Sequence, residues 1–143
     1  MNGKTILCAD DEAHILHVVS LKLQNAGFNV IMARDGEEAF EAAMGATIDM
    51  VITDYQMPNA SGLDLAKRLH KEPGKRDLPV LLLTAHGLGL ERVDLVRAGI
   101  SACLSKPFSP RELLEKVHEL LAQSAPRPNT AGSTPSEATA SPA

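Results

Sequence analysis

The chain has no tryptophan, one tyrosine (Tyr55) and three phenylalanines in 143 residues. The rings that fill many protein interiors are therefore scarce, and a core must rest on Leu, Val, Ile and Ala. There are two cysteines, Cys8 and Cys103, neither with a neighbour at C-x-x-C spacing. That spacing supports neither a disulfide scaffold nor a thiolate metal site. Both lie in apolar stretches and read as buried, reduced core residues. No apolar run approaches the roughly 18 residues of a membrane span, and the start MNGKTILCADDE lacks a signal-peptide core. The expectation is a cytoplasmic protein with no membrane partner. Basic charge is not in excess either: 14 Lys+Arg stand against 18 Asp+Glu, a net charge of −4. A generic phosphate-backbone binder would show a basic face, so direct nucleic-acid binding is not expected. Hydrophobic residues, at 44%, are plentiful enough to exclude a wholly disordered chain.

Composition shifts sharply at Ser124. Residues 124–143 hold four Pro, five Ala, four Ser and three Thr, and no Leu, Ile, Val or aromatic residue. Such a stretch cannot bury enough apolar surface to offset its ordering entropy, and it reads as a disordered tail or linker. Residues 1–123 alternate between two patterns. Short apolar runs at Thr5–Ala9, Phe28–Ala33, Met50–Thr53, Val80–Thr84 and Ala102–Ser105 suit parallel strands buried on both faces. Helical patterns separate them. Ile15, Val19, Leu23 and Ala26 form one stripe, stopped by Gly27. Asp35 caps a second helix, Ser61 opens a third, and a fourth runs from about Leu90 to Ala98, stopped by Gly99. Ser109-Pro110-Arg111-Glu112 is a capping box with Pro at the first helical position, leading to Leu113, Val117, Leu120 and Leu121. Five strands, each followed by a helix, predict an α/β fold with a doubly wound parallel sheet. Ligands of such sheets bind outside the carboxyl ends of the strands.

Those ends carry chemistry. The first strand runs into Asp10-Asp11, with Glu12 beyond; the third runs into Asp54. The fourth ends at Thr84 and the fifth at Lys106-Pro107. Singly, each has a plain structural reading: Asp caps helices, and Lys is usually solvated. Together on one rim they make a set. Clustered carboxylates call for a cation, and hard oxygen ligands favour Mg²⁺. A carboxylate is also a competent nucleophile for an acyl phosphate. A lysine ammonium and a threonine hydroxyl suit phosphoryl oxygens.

Asp10-Asp11, Asp54, Thr84-Ala85 and Lys106-Pro107, in this order and spacing, resemble the receiver domain of bacterial two-component response regulators. Met57, Pro58 and Gly62 follow Asp54 as in that family's D-x-x-M-P-x-x-x-G stretch. The resemblance covers about residues 4–122. It implies a flavodoxin-like five-stranded parallel sheet of order 2-1-3-4-5 with five helices. It implies Asp54 as phosphoacceptor and Mg²⁺ (with Mn²⁺ as a substitute) on Asp11, Asp54, the Gln56 backbone carbonyl and, through water, Asp10. Thr84, the Ala85 N–H and Lys106 would hold the phosphoryl group, and the Lys106–Pro107 bond would be cis. Gln56 and His86 occupy the two positions that tune phosphoryl lifetime. The implied donor is a sensor histidine kinase or histidine phosphotransfer protein. Output would pass to a downstream target protein or by onward phosphotransfer, from a monomer or a weak phosphorylation-linked dimer. With a tail in place of an output domain, the expectation is a stand-alone receiver that catalyses only its own phosphorylation and dephosphorylation.

One position departs from the pattern. Receivers usually carry Tyr or Phe three residues before the lysine, where this chain has Cys103. That substitution supports an alternative, a constitutive interaction module no longer switched by phosphorylation. A metal-dependent phosphatase is a weaker third reading, since no cap domain encloses a substrate. The loop Ala85–Leu90, with Gly87 and Gly89, is expected to be the most mobile part of the domain. His14, His17, His70 and His118 read as solvated helix residues.

Overall fold

The computed structural model describes residues 3–58, 60–85 and 92–123. Within them strands and helices alternate: β1 (Thr5–Ala9), α1 (Ala13–Asn25), β2 (Asn29–Ala33), α2 (Gly36–Met44), β3 (Met50–Asp54), α3 (Gly62–His70), β4 (Val80–Ala85), α4 (Arg92–Ala98), β5 (Ala102–Lys106) and α5 (Pro110–Gln123). Every pairing is parallel, and the sheet order is β2-β1-β3-β4-β5. The doubly wound α/β fold is as the sequence pattern and the resemblance implied. His86, the rest of the loop beyond Ala85, the expected helix start at Leu90 and the tail 124–143 lie outside the described residues.

Strand side chains alternate between two apolar layers. Ile6, Cys8, Met50, Ile52, Leu81 and Leu83 meet Leu16, Val19 and Leu23 of α1 and Leu113, Val117 and Leu120 of α5. On the opposite face Leu7, Val51 and Val80 meet Ala39 and Ala43 of α2, Leu65 and Leu69 of α3, and Ala98 of α4. Both layers are aliphatic, and Phe28 is the one aromatic among the buried hydrophobic residues described. Burial raises the Cys8 thiol to about 12, so it stays protonated and inert.

Local signals set the helix ends. Asp35 Oδ1 accepts the Glu38 N–H (2.8 Å), capping α2. Ser61 and Asp64 cap α3 reciprocally. For α5, the Ser109 N–H donates to Glu112 Oε1 (2.8 Å) and the Glu112 N–H to Ser109 Oγ (3.1 Å). Gly27 follows α1 with φ 99°, a conformation that other residues resist.

Three expectations need correction. Cys103 is exposed, not buried. It sits opposite Leu82 on β5, and β5 is a sheet edge where the described core packs against Ala102 and Leu104 on the other face. His70 is not freely solvated. Its ring lies against Gly99, where a Cβ would come within 2.5 Å of Nδ1. Nδ1 is 3.1 Å from the Ala98 carbonyl oxygen and Nε2 2.8 Å from that of Leu78, tying α3 to α4 and to the segment leading into β4. The buried stripe of α1 is Leu16, Val19, Ser20 and Leu23, with Ile15 and Ala26 only half-buried.

The rotation of α1 carries a polar group inward. The Ser20 hydroxyl is buried, and among the described residues the one group it interacts with is the Cys8 thiol, a weak hydrogen-bonding partner. Ser20→Ala is therefore expected to stabilise the fold by about 1 kcal/mol, since it removes a poorly satisfied buried hydroxyl and improves helix propensity. Urea denaturation checks this; an equal or lower midpoint would contradict it.

Candidate functional site

The sheet order reverses between β1 and β3, so the connections after these strands leave in opposite directions and open a crevice. Asp10 follows β1 and Asp54 ends β3, in neighbouring strands with Ala9 opposite Thr53. The Asp10 N–H donates to the Ala33 carbonyl (3.1 Å), so β2 anchors this rim through its backbone. Asp10 Oδ1 in turn accepts the Glu12 N–H (2.9 Å). The Tyr55 N–H reaches the Leu83 carbonyl (2.8 Å), and the Gly62 N–H reaches the Tyr55 carbonyl (2.8 Å). These bonds hold the loop after Asp54 against β4.

Gly62 is required there. A Cβ would lie 2.5 Å from the Asp54 carbonyl oxygen and 2.7 Å from Leu82 Cδ1. The glycine in the D-x-x-M-P-x-x-x-G stretch thus lets the start of α3 pack directly on the back of Asp54.

Lys106, the last residue of β5, reaches across the end of β4. Its Nζ is 2.9 Å from Asp54 Oδ1, 3.3 Å from Asp10 Oδ2 and 3.0 Å from Glu12 Oε1. The Lys106–Pro107 peptide is cis. Asp10, Asp11 and Asp54 each offer a carboxylate oxygen within 4.8 Å of the others. Thr84 is buried near the end of β4, and Ala85 follows it at the rim. A cleft of ≈ 460 Å³ opens over Asp11, Asp54, Gln56, Ala85 and Lys106. Beside it runs a more apolar groove of ≈ 410 Å³, formed by Ile15, Val18 and Val19 of α1 with Pro107 and Phe108.

The rim carries more negative charge than its one ammonium balances. Burial raises the Asp10 and Asp54 carboxyls above the ordinary carboxylate range; Asp54 adds to the effect on Asp10, and Asp11 and Glu12 to that on Asp54. Burial opposes charge on Lys106, but hydrogen bonds to Asp54 and Glu12 and the attraction of Asp10 outweigh it and hold its pKa up. A carboxyl whose pKa is raised by folding is stabilising when protonated and costs stability once ionised. Asp54→Asn is therefore expected to raise the melting temperature of the metal-free protein by a few degrees at neutral pH. The gain should shrink as pH falls through the raised Asp54 pKa. A gain that grows on acidification would contradict this sign.

The structure brings together Asp10, Asp11, Asp54, Gln56, Ala85 and Lys106, with Thr84 adjoining. Cys103 is three residues before Lys106 on β5, facing out. Glu12 was legible only as the residue after Asp10-Asp11; its reach to Lys106 depends on the entry of α1. The Ala33 carbonyl gave no sequence signal, because its contribution is purely main-chain.

A single parallel sheet with an acidic switch point and a lysine on its carboxyl rim defines a class of doubly wound α/β domains. The chain belongs to the response regulator receiver domain family, whose model matches residues 6–118. It is 33% identical over 126 residues to the phosphate regulon transcriptional regulatory protein PhoB of Pseudomonas aeruginosa, covering 88% of this chain and 55% of that protein. The chain spans about half the length of the curated relatives it matches. A putative response regulator from Chloroflexus aurantiacus superposes with a TM-score of 0.79 at 35% identity, covering 85% of this chain and 99% of the other. The receiver domain of the Pseudomonas aeruginosa sensor histidine kinase PA1611, solved with a magnesium ion in its active site cleft, gives 0.77 at 26% identity, covering 85% and 99%. Among the described residues no helix is long and apolar enough to cross a membrane.

Proposed function

We propose that this receiver is a phosphorylation switch in which Asp54 accepts a phosphoryl group from a phosphohistidine on a sensor histidine kinase or histidine phosphotransfer protein. One observation carries the reading: Lys106 Nζ stands 2.9 Å from Asp54 in an open cleft shared with Asp11, with Asp10 clustered against both carboxylates. An oxygen-only donor set of three carboxylates fits Mg²⁺, with Mn²⁺ as a substitute. Asp11, Asp54 and the Gln56 carbonyl would hold it directly, and Asp10 through water. The cation would supply charge neutralisation at the transferring phosphoryl group.

The chain's own groups do the rest. A carboxylate oxygen of Asp54 is the nucleophile. Lys106 faces the developing charge, and Thr84 and the Ala85 N–H lie at the end of β4 for the remaining phosphoryl oxygens. Gln56 lines the cleft, and it and His86, two residues after Thr84 in the sequence, are the tuners of phosphoryl lifetime. The apolar groove of Ile15, Val18, Pro107 and Phe108 adjoins the cleft and suits a helical donor protein, with Val18 and Leu21 exposed on the same helix. Residues 1–123 form the receiver and 124–143 a tail or linker. Phosphorylation adds roughly −1.5 to −2 charges and biases a two-state face, changing docking to a target or allowing onward transfer.

The exposed thiol of Cys103 favours a second reading, a constitutive module, because no ring is present there to move with Thr84. Beryllofluoride with Mg²⁺ separates the two. Amide signals of β4, β5 and α5 should shift in wild type and stay unchanged in Asp54→Ala. A wild type whose signals shift only beside Asp54 would support the constitutive module.

A further inference from the structure

We propose that Glu12 is a positioning residue that occupies Lys106 in the resting site and thereby disfavours small, doubly charged phosphodonors. The inference rests on the reading of Asp54 as phosphoacceptor.

Glu12 stands at the N-cap of α1, yet its side chain makes no capping hydrogen bond. Its backbone N–H is already given to Asp10 Oδ1. The carboxylate instead turns over the cleft and meets Lys106 Nζ at 3.0 Å. A lysine ammonium has three N–H donors and no more. Here it donates hydrogen bonds to Asp10 and Glu12 and pairs with Asp54, so three carboxylates already crowd the one ammonium. An incoming phosphoryl oxygen competes with these carboxylates for Lys106. Asp54 and Asp10 are the buried members and belong to the carboxylate cluster with Asp11. The Glu12 side chain is 59% exposed and lies outside that cluster, so it is the partner that leaves at least cost. It also adds a negative charge at the mouth of the cleft.

In the transfer itself an Asp54 oxygen forms the new P–O bond. The donor's P–O bond (acetyl phosphate) or P–N bond (phosphoramidate) breaks, and acetate or ammonia leaves with the bonding pair. Acetyl phosphate arrives as a dianion. Phosphoramidate, protonated on nitrogen, arrives with a smaller net charge and meets less repulsion from Glu12. The effect weakens with salt, because the residue is exposed.

The test compares phosphorylation rates of the full chain with Mg²⁺ and each donor in wild type, Glu12→Gln and Glu12→Asp. Glu12→Gln should accelerate acetyl phosphate about three- to tenfold and phosphoramidate by less, changing the ratio of the two rates. Glu12→Asp, which keeps the charge, should leave that ratio near wild type, and the Glu12→Gln gain should fall at high salt. A metal-free readout accompanies it: the Lys106 ¹⁵Nζ signal should move in Glu12→Gln. An unchanged donor ratio, or an unmoved Lys106 signal, overturns the role of Glu12 while Asp54 labelling stands. A wild type labelled by neither donor, or labelled equally in Asp54→Ala, takes down the underlying reading and this inference together.

Discussion

Gly62→Ala should destabilise the protein by about 2–4 kcal/mol, although alanine is the better helix former by about 1 kcal/mol. The new methyl group would meet the Asp54 carbonyl oxygen at 2.5 Å, and that atom belongs to a central strand with all five residues buried. Leu82 Cδ1, at 2.7 Å, belongs to an equally packed neighbour. Relief requires α3 to back away from β3. That movement would strain the Gly62 N–H to Tyr55 carbonyl bond and shift Asp54 relative to Lys106. Phosphorylation should therefore slow as well, since small misplacements at a reacting centre are costly. Gly45→Ala is the control, because its Cβ meets nothing nearer than 3.6 Å and should be close to neutral. Chemical denaturation of the two variants decides the matter, and a Gly62→Ala protein as stable as wild type would contradict the packing.

Lys106→Ala should be the most damaging change to the site. It removes the cation from Asp54, Asp10 and Glu12 at once. Two of those carboxylates are buried, and uncompensated buried charge is far costlier than an exposed one. The metal-free variant is expected to lose about 2–3 kcal/mol, less than a fully buried pair would cost because the Lys106 side chain is 16% exposed. Added Mg²⁺ should recover part of this loss. Phosphoryl transfer should remain impaired, on the order of 100-fold, even at saturating Mg²⁺, if Lys106 faces the developing charge as proposed. Full recovery of the rate by Mg²⁺ would show that Lys106 only balances resting charge. Lys106→Arg is not a rescue, because a planar guanidinium cannot copy one ammonium serving three directions.

Much of this was legible in the residues because the information is local. Short apolar runs marked all five strands, although β2 and β5 are half-exposed edges and not buried on both faces as the runs suggested, and Asp35 and Ser109 marked helix starts that their hydrogen bonds confirm. The strand-end residues came together because a doubly wound sheet puts all strand ends on one rim. What was missed depends on neighbours distant in sequence. Ile15 and Leu16 are adjacent and equally apolar, so periodicity could not choose which faces the core. Cys103 follows the same apolar pattern as a buried residue, but edge position is a property of the sheet, not of the segment. His70 finds its place through the space left by Gly99, 29 residues away. The role of Glu12 depends on the reach of one side chain across the cleft.

The central claim is that Asp54 is the phosphoacceptor. It is tested most directly by intact-mass measurement after incubation with phosphoramidate and Mg²⁺, for wild type and Asp54→Ala. The expected result is the mass of one phosphoryl group added to wild type, none to the variant and none without the cation. Equal labelling of the Asp54→Ala protein would contradict it.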